Sequence, residues 1–387
     1  MSQWPCFEAD ERAAVERVLR SGRVNYWNGD EGRAFEREFA AFHGAAYGVT
    51  VANGTVALEL ALHALGIGSG DDVIVSPRTF LASASSIVMR GARPVFADVD
   101  SESGNLTPET VLAVLTPNTR AIMAVHLAGW PCDMEGLRAL ADEHGLFLIE
   151  DCAQAHGAAW NGRSVGSQGD AAAFSFCTDK IMSTGGEGGM VLLHDDAAWH
   201  KAWSYKDHGK DWDAVYNTEH PPGFRWLHHS FGTNWRLTEM QSAIGRCQLR
   251  KLPFWLARRR ANAQVLLDAL QRVSGLRVPI PPAHVSHAWY KFYAFIEPEA
   301  LASGWTRDSV VEAIQAEGIP CLHGGCSEVY LEKAFDGSGF APAERLPVAR
   351  KLGETSIMFV VDHTLSETDM LAAATATESV FRRARVS

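Results

Sequence analysis

Leu146-Phe147-Leu148-Ile149-Glu150-Asp151-Cys152-Ala153-Gln154 reads as a strand that runs out into a polar turn. Four apolar residues in succession suit a strand covered on both faces, since a strand with one wet face would alternate. Working outward, six further runs have strand character: 48–52, 73–76, 94–97, 121–125, 171–176 and 190–193. Helix-like patterns at 55–65 and 133–144 separate the earlier ones. That alternation predicts βαβ crossovers and an α/β protein with a mainly parallel seven-stranded sheet. The last two runs are joined by a glycine-rich link without a helix, so one of them is expected to run antiparallel.

Beyond this layer, residues 254–273 form a helical pattern rich in Arg and Ala, which Pro279-Ile280-Pro281-Pro282 breaks. The expected division is a large domain over 1–250, with an N-terminal helical segment, and a smaller α+β domain over 251–387. The stretch 203–235 is dense in aromatic and histidine residues without regular periodicity, and reads as a long ordered loop. The chain has 387 residues, 47% hydrophobic, with a formal net charge of -11 and the two signs well mixed. Such a balance argues against a nucleic-acid partner. Seven cysteines, odd in number and without a CxxC pair, suggest reduced thiols. His323 with Cys321 and Cys326 has suitable ligand types but not the paired spacing of a structural zinc site, so no metal is expected. Residues 1–20 carry acidic groups and no apolar core, and no run approaches a membrane span. A cytoplasmic protein without a membrane partner is the expectation.

Asp151 falls at the carboxyl end of a parallel strand, the edge where open α/β sheets bind ligands. Lys180 follows in Phe174-Ser175-Phe176-Cys177-Thr178-Asp179-Lys180, just ahead of Gly185-Gly186-Glu187-Gly188-Gly189. A lysine amine that can form a Schiff base and an acid that can keep a pyridine nitrogen protonated are the two needs of pyridoxal phosphate. Alone, Asp151 would equally suit a helix cap. Asn53-Gly54-Thr55 opens a helix after the first strand, where backbone amides and a threonine hydroxyl suit a phosphate. Ser175 sits at a strand end within reach of the same phosphate. Phe80, just after the second strand, could stack on a planar ring, and Gln154 could bond the ring hydroxyl.

Taken together these residues resemble the DegT/DnrJ/EryC1/StrS family of pyridoxal-phosphate-dependent nucleotide-sugar aminotransferases, of fold type I. The matching segments are Asn53-Gly54-Thr55-Val56-Ala57-Leu58, Gly66-Ile67-Gly68-Ser69-Gly70-Asp71-Asp72-Val73-Ile74-Val75, Glu150 to Gly157, Gly169 to Phe176, Lys180, and Asn234 to Gln241. The similarity runs from about residue 27 to 248 and fades over the second lobe. It implies that Lys180 is the Schiff-base lysine, Asp151 the pyridinium partner and Gln154 the contact to the ring hydroxyl. Gly54, Thr55 and Ser175 would hold the phosphate, with Phe80 on the ring face. Asn234 would reach the phosphate of the neighbouring subunit's cofactor, which implies a homodimer with shared sites. His156 stands near the ring in the family pattern.

The resemblance further implies transfer of an amino group from an amino acid, glutamate by expectation, to a keto sugar carried on a nucleotide diphosphate. Pyridoxamine phosphate would be the intermediate form of the cofactor. Arg225, Arg236, His228, His229 and Lys206 lie in or beside the aromatic-rich stretch and could meet the diphosphate. His323, Cys326 and Glu328 could line the sugar pocket. Two readings compete: a dehydratase or lyase on the same fold, and a non-catalytic sensor. A dehydratase branch of the family replaces the lysine by histidine, and a sensor has no use for Lys180 and Asp151. Both residues are present here.

Overall fold

The computed structural model describes residues 2–385. Its large sheet consists of β1 (Tyr47–Val51), β2 (Asp72–Val75), β3 (Arg93–Phe96), β4 (Thr119–Val125), β5 (Phe147–Asp151), β6 (Ala171–Ser175) and β7 (Gly189–Leu193). Their spatial order is β1-β7-β6-β5-β4-β2-β3. β7 runs antiparallel to both β1 and β6, and the remaining pairs are parallel. All seven strands lie within two residues of their expected bounds, and the antiparallel one is the second of the glycine-linked pair.

The apolar strands are explained by cover on both faces. Val49, Val73, Met123, Ile149 and Ala173 share a core with the helices Gly54–Ala64, Leu81–Met89 and Asp196–Lys206. On the opposite face, Ile122, Ala124 and Leu148 meet Leu137 and Leu140 of the helix Met134–His144. Phe174, Met190 and Leu192 meet Phe35 and Phe39 there. Alternate residues of one strand therefore enter different cores, and only Arg93 and Arg120, near the amino ends of β3 and β4, are exposed.

A second, antiparallel sheet contains β8 (Leu276–Arg277), β9 (Phe292–Ile296), β10 (Cys321–Leu322) and β11 (Ser356–Phe359), in the order β8-β9-β11-β10. The 32-residue helix Glu239–Leu270 serves both lobes. Its first part sets Ala243 and Cys247 against Ala14 and Val18, and its last part puts Ala263, Leu266 and Leu270 into the second core. Residue 250 thus lies inside a continuous helix. Its start is fixed by a reciprocal cap between Thr238 and Gln241. The helix begins fifteen residues before the periodic pattern does, because Glu239, Ser242 and Gln248 occupy inward positions and Pro253 is carried inside it.

The stretch expected to be a loop over 203–235 also differs. Its first residues complete the helix Asp196–Lys206, and Trp212–Tyr216 forms another short helix. The inward face of the first is Ala198, Ala202, Trp203 and Lys206, so a buried lysine hides the apolar stripe. No helix among the described residues is long and apolar enough to cross a membrane.

Candidate active site

The carboxyl ends of β4, β5 and β6 bring Val125, Asp151 and Ser175 to one wall of a cavity of about 610 Å³. Asp151 is buried there. Its Oδ2 accepts a hydrogen bond from Ser83 Oγ at 2.7 Å, and that hydroxyl lies 2.6 Å from Thr79 Oγ1. Its Oδ1 accepts from the Ala153 amide at 3.1 Å. Burial pushes the carboxyl above the usual range, while Ser83 and Ala153 oppose the shift. A cationic ring nitrogen against this carboxylate would favour its ionised form. The side chain before it, Glu150, holds the strand end from the other face. It accepts from the amides of Gly166, Gln168 and Gly169 at 2.7 to 2.9 Å and pairs with His126 Nε2 at 3.0 Å.

The N-terminus of the helix Gly54–Ala64 lines the same cavity, and Asn53 there accepts from the Val56 amide at 3.1 Å. Gly54 packs so tightly on β6 that an added Cβ would lie 2.6 Å from the Cβ of Ser175. The first amides of this helix, the Thr55 hydroxyl and Ser175 therefore face one small volume, which fits a phosphate. Phe80 stands over the cavity 70% exposed. An aromatic ring held in water above an apolar cavity is suited to stack on a planar ligand. Gln154 lies on the wall, and its Oε1 accepts from the Ala128 amide at 2.8 Å.

Lys180 closes the site from the loop after β6. Its Nζ donates to the Tyr290 hydroxyl at 3.3 Å and lies 3.6 Å from Asp179 Oδ1. Tyr290 in turn donates a short hydrogen bond to Asp179. Lys180 is also fixed through its backbone, since its carbonyl accepts from Trp4 Nε1 at 2.7 Å. Burial raises the Asp179 carboxyl, but Lys180 and Tyr290 outweigh it and hold that group below the usual range. The donor set is thus an acid for a pyridine nitrogen, an amine for an aldehyde, and a helix terminus for a phosphate. Pyridoxal phosphate fits it.

The structure places seven of the expected residues on one cavity: Gly54, Thr55, Phe80, Asp151, Gln154, Ser175 and Lys180. Asn234 is exposed and lies outside it, bridged to Asp207. His156 is buried behind the wall among Phe39, Phe174 and Phe176, and burial keeps its imidazole neutral well below the ordinary range. Arg225, His228 and His229 are exposed on the aromatic-rich segment. His323 faces Asp308 at 3.3 Å.

Three of the expected ligand contacts are engaged inside the chain. Arg236 binds Asp207 at 2.7 Å, and Glu328 accepts from Tyr330 at 2.7 Å and from Arg345 at 2.9 Å. Lys206 is fully buried 3.3 Å over the ring of Tyr26 and 3.6 Å from Glu36. Each partner is remote in sequence or unremarkable in type, so the residues read as surface charges until the fold is known. Ser83, Thr79 and Tyr290 were not singled out from the sequence. Tyr290 lies 110 residues beyond Lys180, and no local pattern marks it.

The model of the DegT/DnrJ/EryC1/StrS aminotransferase family matches residues 5–376. The chain belongs to that family. Its cofactor is pyridoxal phosphate, and it is an enzyme of the transaminase class. A solved aminotransferase from Psychrobacter cryohalolentis is similar at 55% identity with a TM-score of 0.97, covering 99% of both chains. Among curated relatives, the dTDP-3-amino-3,4,6-trideoxy-alpha-D-glucose transaminase of Streptomyces venezuelae is 38% identical over 87% of this chain and 82% of its own. The UDP-N-acetyl-3-dehydro-alpha-D-glucosamine 3-aminotransferase of Acidithiobacillus ferrooxidans is 42% identical over 75% of this chain and 73% of its own.

Proposed function

We propose that this family member moves an amino group from L-glutamate to a keto-deoxysugar linked to a nucleoside diphosphate. The product is an amino sugar for surface polysaccharide or glycoside biosynthesis. The observation that carries the reading is Lys180, held by Tyr290, on one cavity with Asp151 and the N-terminus of the helix Gly54–Ala64. The named substrates of the two curated relatives support the choice of a nucleotide sugar.

Bound pyridoxal phosphate supplies an aldehyde carbon that takes up the amino group and a ring that stores the electron pair of the breaking Cα–H bond. The chain's part is to place and protonate. The Lys180 amine takes the proton from the donor's Cα, and in the return half delivers one to the sugar carbon that receives nitrogen. Asp151 holds the positive charge of the ring nitrogen in place, and burial strengthens that pairing. The Gly54 and Thr55 amides, with Ser175, anchor the phosphate so that Lys180 meets the reacting carbon from a fixed side.

The test is the visible spectrum of the cofactor-loaded protein before and after L-glutamate, followed by a screen of nucleotide-linked keto sugars. A band that fades with glutamate and returns with a keto sugar is the expected result. A band that glutamate leaves unchanged at all concentrations would exclude it as donor, and failure of every keto sugar would exclude the acceptor class.

A further inference from the structure

Beside the cofactor cavity, across the turn 126–130, lies a second and smaller pocket of about 30 Å³ between the two lobes. Arg78 lines it. This residue belongs to Pro77-Arg78-Thr79-Phe80, so it directly precedes Thr79 and Phe80 of the cofactor cavity. Arg78 is 2% exposed, yet among the described residues no carboxylate lies within 4 Å of its guanidinium. Its Nη1 donates to Ser327 Oγ at 2.6 Å, its Nε has no hydrogen-bond partner, and its Cζ lies 5.9 Å from the ring centres of Tyr293 and Phe295. A buried guanidinium without a carboxylate carries an uncompensated desolvation cost, which a fold retains where an anion arrives from outside.

A second cation lies beside it, and the nearby carboxylates are engaged. Lys291 lines the pocket, and its amine lies 4.9 Å from the ring of Tyr290, the residue that also receives Lys180. Two carboxylates, Asp179 and Asp362, face Lys291, but the first is engaged by Tyr290 and the second by Thr364. Glu102, at the rim, is held by Arg277 at 2.9 Å. His287 is buried with its imidazole lowered to about 3, and so contributes no opposing or additional charge. The turn that separates the two spaces is itself constrained. Ala128 adopts φ 57°, a left-handed conformation unfavourable for a non-glycine residue, while its amide reaches Gln154 and its carbonyl accepts from the Tyr290 amide. A space of this size matches about one water molecule, so it admits the end of a ligand rather than a whole one.

We propose that this pocket is a carboxylate subsite of the active centre, in which Arg78, with Lys291 beside it, receives a carboxylate carried by one of the two substrates. The planar guanidinium matches a carboxylate in shape. The proposal rests on the aminotransferase reading for the existence of two substrates, the amino donor and the sugar.

The test compares binding of ligands that differ by one carboxylate to the cofactor-loaded protein, measured by calorimetry. Glutarate against its monoamide probes the donor arm, and UDP-glucuronate against UDP-glucose probes the sugar arm. In one arm the acid is expected to bind at least about 10-fold tighter, and Arg78→Met should remove about 10- to 100-fold of its affinity while sparing the neutral ligand. Lys291→Met should shift the same arm in the same direction. The arm that responds names the source of the carboxylate. Equal binding of acid and neutral ligand in both arms overturns the proposal, as does a preference that survives Arg78→Met. Thermal melting shows whether Arg78→Met is folded; where it is not, a preference unchanged in Lys291→Met overturns it. The spectrum of the wild-type protein with amino acids judges the aminotransferase reading separately, because binding preference requires no turnover.

Discussion

At the scale of single residues, Tyr290 has the most to say about catalysis. Its hydroxyl accepts from Lys180 and donates to Asp179, so the amine is held by a neutral group while the carboxylate is kept 3.6 Å away and occupied. Removing the hydroxyl leaves Lys180 and Asp179 as direct partners, and an amine paired with a carboxylate is a slower proton carrier. Tyr290→Phe is therefore expected to lower the rate of the glutamate half-reaction by about 10-fold, with KM for glutamate and cofactor retention little changed. Stopped-flow absorbance at saturating glutamate reads the rate. A change confined to KM would mean that Tyr290 serves binding and not the position of Lys180.

At the scale of elements, the approach of the helix Gly54–Ala64 to β6 sets the phosphate cradle. Gly54 has no room for a Cβ, which would come 2.6 Å from Ser175 Cβ and 2.9 Å from its Oγ. Gly54→Ala must lift the helix terminus from the strand end, at an overpacking cost of about 1–3 kcal/mol. The expected outcomes are a lower melting temperature and loss of bound cofactor on dialysis under conditions where the wild type keeps it. Unchanged retention would show that the helix amides do not hold the phosphate. Elements of this kind are legible in the sequence because their signals are local. Asn53-Gly54 marks a cap, and the apolar run at 147–149 marks a doubly covered strand. The helices Asp196–Lys206 and Glu239–Leu270 are poorly legible for the opposite reason. Their buried faces hold Lys206, Glu239 and Gln248, whose partners lie elsewhere in the chain. Lys206 is paired with Glu36 and lies over the ring of Tyr26, a fact of tertiary structure with no trace at position 206. The same holds for Arg78 and Tyr290, which acquire meaning only when the second lobe is brought against the large sheet.

At the scale of the whole molecule, one surface is unlike the rest. Trp226 is 82% exposed, Phe231 is 100% exposed and Phe224 lies beside Trp226, all on the segment that leads to Asn234. Large aromatic groups left in water are suited to cover by a partner. The two ion pairs at the base of this segment, Arg236 with Asp207 and Lys210 with Asp207, hold it in place and keep Asn234 outside the chain's own cavity. An exposed asparagine beside an apolar surface is the arrangement a shared site would require, and we propose that each copy lends Asn234 to the other. On this proposal the Asn234→Ala and Lys180→Ala homodimers each have two defective sites. Mixed after reversible dissociation, they form hybrids in which one site combines an intact Lys180 with an intact Asn234. Half of the dimers are then hybrids with one working site, so activity is expected to recover to about a quarter of the wild-type rate. Sedimentation of the mixture confirms that dimers re-form. If dimers re-form and the activity stays at the level of the separate variants, Asn234 acts within its own chain or not at all, and the exposed aromatic surface must be assigned to some other contact.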